Sequence, residues 1–66
     1  MDVAGKVRKL MAFNNMKQKD LSQASGLSRV YISRNLSGKR KPTLNFVLKI
    51  AKTFDVSLDW LLSDKD

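Results

Sequence analysis

The sequence contains no cysteine, no histidine and no glutamate. Without cysteine the chain can form no disulfide, and without cysteine or histidine it lacks the ligands of a conventional structural zinc site. We therefore expect no metal and no other cofactor. Scattered aspartates are the only carboxylates available for acid–base chemistry, which argues against an enzyme. A chain of 66 residues must then rely on one small hydrophobic core.

Long hydrophobic runs are also missing. No apolar stretch approaches the roughly 18 residues that a membrane-spanning helix needs. The N-terminus has no apolar core of the kind found in signal peptides. Together with the lack of cysteine, these absences predict a cytoplasmic protein with no membrane partner. No feature of the sequence indicates a small-molecule ligand.

Acidic residues are absent from the middle of the chain. Thirteen Lys and Arg against six Asp give a formal net charge of +7, and no acid lies between Leu21 and Phe54. The same interval contains Arg29, Arg34, Lys39, Arg40, Lys41, Lys49 and Lys52. A basic block flanked by acids predicts one positively charged face, for which a polyanion is the expected partner.

Apolar residues recur at helical spacing, and no segment shows the alternation of a strand. We predict an all-α fold, a compact bundle of five short helices in a single domain, residues 1–66. The predicted helices span about 2–14, 17–25, 28–36, 43–54 and 57–63. Helix 1 contains Val3, Val7, Leu10 and Met11 as apolar positions, with Phe13 as a further candidate.

Other side chains can be assigned to an inner or an outer position by the same periodicity. Lys6 and Lys9 are expected on the outer side of helix 1. Ala24 is a candidate apolar contact of helix 2. Leu44 and Leu48 are counted in the wide apolar surface of helix 4, which is predicted to be the most buried helix.

The segment Ser28–Leu36 has one apolar and one polar face. Ile32 and Leu36 lie four residues apart and share a face of the helix. The other face carries arginines, a phenol and hydroxyls, which can read base edges in a DNA major groove. The pattern also fits an ordinary amphipathic helix with a solvated face. The short connection at Gly26 favours the first interpretation, because it fits the tight turn of a helix-turn-helix.

Two segments of the chain resemble the lambda-repressor-like, or Cro/XRE-type, helix-turn-helix family. The second segment runs from Leu48 to Leu62. The first segment lies before it and contains Gln18, Leu21, Ser22, Ser25, Gly26, Leu27, Ser28, Ile32, Leu36 and Gly38. The resemblance covers about residues 7–62. It implies a regulator of transcription that binds double-stranded DNA, with helix 3 in the major groove and helix 2 across the backbone.

The resemblance places DNA contacts on two groups of residues. Base contacts are expected from Arg29, Val30, Tyr31 and Arg34. Phosphate contacts are expected from Gln18, Ser28, Ser37, Lys39, Arg40 and Lys41. The helix-turn-helix itself would be held together by Leu21, Ser22, Gly26, Leu27 and Ile32, with Met11 and Leu36 packing beside it. Three roles stay open for Tyr31: a phosphate contact, stacking against a sugar, or covering part of the core.

The chain departs from the family at a few positions. Many members carry an Arg–Glu ion pair where this chain has Met11 and Leu36. Because both charges are replaced together, we expect the two apolar side chains to touch. Asn35 stands at a usually apolar position, and either it pairs with Ser25 or it is half-exposed and contacts backbone or water. Lys17 replaces the usual Ser or Thr cap, which predicts a weakly capped helix 2.

The resemblance implies a repressor of phage or mobile-element type. It would bind a pseudo-palindromic operator as a weak homodimer, more stable on DNA, and occlude the polymerase, although the same scaffold could activate. Leu58 and Leu62 are the candidate dimer contacts, whereas Trp60 is expected in the core. An antitoxin-like interaction module that also binds DNA is the alternative, and an excised domain of a longer protein also fits.

Overall fold

The computed structural model describes residues 2–39 and 41–63, and this part of the chain folds into five α-helices without a strand. The helices are α1 (Val3–Phe13), α2 (Gln18–Ser25), α3 (Arg29–Leu36), α4 (Leu44–Phe54) and α5 (Leu58–Leu62). The predicted all-α, five-helix fold is confirmed. Each helix begins one residue after its predicted start, because the residue at the predicted start is the N-cap of that helix. Among the described residues, no helix is long and apolar enough to cross a membrane.

The start of each helix is set by a local hydrogen bond. In four helices the N-cap side chain accepts the backbone N–H three residues further on. These N-caps are Asp2, Ser28, Thr43 and Ser57. In α2 the Lys17 side chain makes no such bond, as predicted, but the Asp20 carboxylate accepts the Lys17 N–H at 2.9 Å. This half of a capping box supports an otherwise weak helix start.

All five helices contribute to one hydrophobic core. Its buried members are Val3, Val7, Met11, Leu21, Ile32, Leu36, Phe46, Val47, Ile50 and Leu61. Met11 and Leu36 both belong to this core, which is where a replaced ion pair should place them. Their direct contact stays a prediction.

The structure corrects the burial that the sequence predicted for several apolar residues. Phe13, the last residue of α1, is 90% exposed, and Ala24 is exposed near the end of α2. Leu44 and Leu48 are exposed on α4. Each lies two residues before a fully buried residue of α4, which turns it about 200° around the helix axis, away from the core.

Lys6 was predicted on the outer side of α1, and this prediction is wrong. Its side chain is 3% exposed, and its Nζ donates hydrogen bonds to the carbonyl oxygens of Trp60 (2.5 Å) and Ser63 (2.7 Å). The ammonium also lies 5.2 Å from the centre of the Trp60 ring. Since the last carbonyls of a helix have no partner within it, the buried cation stabilises the end of α5.

Substitution of Leu36 tests the apolar core beneath α3. Leu36→Glu should lower the free energy of unfolding by about 3 to 5 kcal/mol, because a carboxylate would replace a buried apolar side chain inside the core. Chemical denaturation measures the change. Leu48→Glu is the matched control, since this side chain of α4 is 48% exposed; its effect should stay within about 0.5 kcal/mol. A stable Leu36→Glu protein would mean that the new carboxylate reaches solvent or a cation.

Candidate nucleic-acid interface

Helix α3 is anchored to the core along one side and free along the other. Ile32 and Leu36 are buried in the core. By contrast, Arg29, Val30, Ser33 and Arg34 are exposed. These four form two pairs spaced four residues apart, so they share the solvent side of the helix. A two-turn helix thus presents two guanidiniums, a hydroxyl and an isopropyl group to solvent.

The turn between α2 and α3 is fixed by hydroxyl groups as well as by glycine. Gly26 ends α2 in the left-handed conformation, with φ of +77°, which disfavours a side chain at this position. Ser22 Oγ donates to the Leu27 carbonyl at 2.5 Å, and the Leu27 N–H donates to Ser25 Oγ at 3.2 Å. Leu27 packs against the core. The turn therefore sets how α3 is presented relative to α2.

The exposed side of α3 continues onto neighbouring elements as one surface. A shallow concavity is lined by Gln18, Arg29, Val30, Ser33 and Arg34. A second concavity shares Ser33 and Arg34 and adds Ser37 and Lys39. We call the combined surface of these seven residues the recognition face. It contains three cations and no carboxylate, so its charge suits a polyanion.

Comparison with known proteins identifies the family. The sequence profile described as Helix-turn-helix matches residues 7–61. The chain belongs to the helix-turn-helix family. This confirms the resemblance to the Cro/XRE type, whose members bind DNA and regulate transcription.

Two curated proteins are similar to this helix-turn-helix chain over most of its length. One is an uncharacterised HTH-type transcriptional regulator of Methanocaldococcus jannaschii, 37% identical over 54 residues, which are 82% of each chain. The other is the control protein C.SmaI of Serratia marcescens, 34% identical over 61 residues, which are 92% of this chain and 73% of that protein. No solved structure gave a significant match. The family match identifies a DNA-binding transcriptional regulator.

Most of the DNA-contacting residues predicted from the sequence lie on or beside the recognition face. Ser28 is exposed, but its Oγ accepts the Tyr31 N–H as the cap of α3. Lys41 lines a separate concavity with Asp2 and Lys39, beside the start of α1. Arg40 lies outside the described residues. Ser33 was not predicted as a site residue, although its spacing of four from Arg29 could have indicated it.

Tyr31 is turned toward α4. Its ring packs edge-on against Phe46, with the ring centres 6.2 Å apart and the planes at 69°. Its hydroxyl is hydrogen-bonded to Thr43 Oγ1 and accepts Asn45 Nδ2 at 3.3 Å. Of the three roles left open, the structure shows the one in which Tyr31 covers part of the core.

Asn35 is buried, being 6% exposed, so the expectation of a half-exposed side chain is wrong. Its Nδ2 donates to the Tyr31 carbonyl at 2.9 Å, and its Oδ1 accepts the Thr43 N–H at 2.9 Å. These bonds use the donor and the acceptor of the amide. The backbone contact that the sequence suggested is therefore present, but Ser25 instead accepts the Leu27 N–H.

The C-terminal end of α3 receives a cation from α1. The Arg8 guanidinium donates to the backbone carbonyl of Leu36, the last residue of α3. A positive group at this end satisfies a free carbonyl and complements the helix dipole. Sequence reasoning missed this residue, because an arginine on an otherwise exposed helix face has no distinctive spacing.

The single tyrosine allows a direct test of the contact between α3 and α4. Hydrogen bonds from Thr43 and then from Asn45 hold the pKa of Tyr31 below its ordinary value, because both favour the phenolate. Titration of tyrosinate absorbance should therefore have its midpoint below about 10. Thr43→Val should move the midpoint upward. Identical midpoints in the parent and Thr43→Val would contradict the hydrogen bond.

Proposed function

We propose that this helix-turn-helix protein recognises a specific double-stranded DNA sequence by inserting α3 into the major groove. The observation that carries the proposal is the recognition face, an acid-free surface on the side of α3 that the core leaves free. Eight residues give α3 a length of about 12 Å. The diameter of an α-helix with its side chains, about 10 to 12 Å, fits a major groove about 12 Å wide.

Arg29, Val30 and Arg34 are the proposed base-reading residues. A guanidinium can donate two parallel hydrogen bonds to O6 and N7 of guanine. The isopropyl group of Val30 is exposed and apolar, so it can pack against a thymine methyl. Since Val30 and Arg34 lie one helical turn apart, they would contact neighbouring base pairs.

The proposed phosphate contacts surround this helix on two sides. Gln18 is the first residue of α2, where free backbone N–H groups also favour an anion. Ser37 and Lys39 lie just after α3, and Lys41 follows them in the loop. Contacts of this kind fix the register of the protein on the duplex without reading its sequence.

We further propose that two copies bind a pseudo-palindromic operator and repress transcription by occluding the polymerase. Half-sites would lie about one turn of DNA apart. A single α3 reads few base pairs, so pairing on DNA would supply the specificity that one copy lacks. Leu62 is 39% exposed at the end of α5 and is the candidate apolar contact between copies. The name of the Serratia relative, a control protein, supports a regulatory role.

Selection of bound sequences from random duplex DNA tests the base-reading assignment. Arg29→Ala and Arg34→Ala should each relax the preference at one base position and cost about 1 to 3 kcal/mol on the preferred site, because a bidentate contact is lost. Lys52→Ala removes the same charge from the far end of α4 and should leave the selected sequence unchanged. Unaltered base preferences in both arginine variants would refute the assignment.

The phosphate assignment predicts a different response. Lys39→Ala should weaken binding to all sequences alike and reduce the slope of log affinity against log salt by about 1. Titrations at several salt concentrations measure this slope, again with Lys52→Ala as the control. A change in base preference, or an unchanged slope, would remove Lys39 from the set of phosphate contacts.

A further inference from the structure

We infer that Asn35 and Tyr31 are positioning residues that hold the described part of the phosphate-binding loop, residues 37–39 and 41–42, in its DNA-binding shape. They would act through Thr43, the first residue after this loop, and not by touching DNA. We call the three residues Tyr31, Asn35 and Thr43 the clamp. The inference rests on the proposed function, because the loop matters only if it meets phosphates.

The buried Asn35 amide joins α3 to the far end of the loop. Its Nδ2 holds the Tyr31 carbonyl within α3, while its Oδ1 holds the Thr43 N–H, each at 2.9 Å. Both bonds need one side chain with a donor and an acceptor. Leucine would offer neither, and an ionised aspartate would offer no donor. The amide of Asn35 therefore suits this position, because it supplies both a donor and an acceptor.

Tyr31 reaches the same point from one turn earlier in α3. Its hydroxyl is bonded to Thr43 Oγ1, and the same oxygen accepts the Phe46 N–H as the cap of α4. Thr43 is thus held by its backbone and by its side chain at once. The end of the loop and the start of α4 are fixed to α3 together.

The near end of the loop is anchored separately. Ser37 Oγ donates to the Arg34 carbonyl at 2.9 Å and accepts the Lys39 N–H at 3.3 Å. Lys39 and Lys41 are exposed between the two anchors. Ordering a loop when DNA binds would cost conformational entropy, and a loop already held at both ends avoids most of that cost. Without the clamp the loop would not be ordered on DNA, a phosphate contact would be lost, and the affinity for every DNA sequence would fall equally.

Asn35→Leu is the decisive variant, since it removes both hydrogen bonds and keeps a buried side chain of similar size. Its affinity for the selected operator and for unrelated duplexes should fall roughly three- to tenfold, because the loop would no longer be held in place before DNA binds. The base preference should not change. The salt slope should fall by about 1, and Lys39→Ala should have less effect in the Asn35→Leu background than in the parent.

If Asn35 only stabilises the fold and does not position the loop, a different result is expected. Asn35→Leu would then lower the melting temperature, while the salt slope and the full effect of Lys39→Ala would be retained, and this outcome would overturn the inference. Asn14→Leu is the matched control, because the Asn14 amide is exposed and donates only to Leu10 of its own helix. It should leave affinity and salt slope unchanged.

Variants of the other two clamp residues keep the test decisive if Asn35→Leu fails to fold. Tyr31→Phe retains the ring on Phe46 and should weaken all sequences alike. A change in base preference would instead make Tyr31 a base contact and overturn its positioning role. Thr43→Ser should bind like the parent, because it keeps the hydroxyl and the N–H, whereas Thr43→Val should weaken binding.

Hydrogen exchange of the Thr43 amide separates failure of the inference from failure of the proposed function. Exchange should be slow in the parent and faster in Asn35→Leu, whether or not DNA is present. If the parent shows no salt-dependent binding to any duplex, the proposed function fails and the inference fails with it. If the parent binds and Asn35→Leu matches its salt slope, only the inference is refuted.

Discussion

The structure depends on α3, because its eight residues must both pack against the core and present a surface to a ligand. Two buried apolar side chains, Ile32 and Leu36, are few for anchoring a helix. Polar contacts supply the rest: the Ser28 cap at its start, Arg8 at its last carbonyl, and Asn35 toward α4. Because these contacts use the inner side and the two ends of the helix, its outer side stays exposed to solvent.

The helices were predictable because their limits are set locally. Capping hydroxyls, Gly26 and apolar periodicity are all visible in the sequence, and each acts within a few residues. The burial of Lys6 and Asn35 and the contact of Arg8 were not predictable. Each of these side chains bonds to the backbone of a distant element, and backbone groups leave no trace in residue identity. Leu44 shows the opposite limit of prediction from sequence: it is apolar but exposed, because apolar residues are not always buried.

The departures from the family form a consistent rearrangement of polar contacts. A family ion pair would join helix 1 to helix 3 through two side chains, and here Met11 and Leu36 occupy those positions in the core. Arg8 joins the same two helices through a backbone carbonyl, so this contact does not depend on the side chain at position 36. Asn35 adds a polar contact from α3 to the start of α4. Polar contacts thus tie α3 to α1 and to α4.

The buried ammonium of Lys6 differs in its surroundings from the exposed cations of the recognition face. Cations on the recognition face lie in water, where dissolved ions screen them within about 10 Å at ordinary salt. Lys6 is enclosed and bonded to two carbonyl oxygens at the end of α5, so dissolved ions hardly reach it. A salt concentration high enough to release the protein from a duplex would therefore not break the contact between α1 and α5. The domain would dissociate from DNA while still folded.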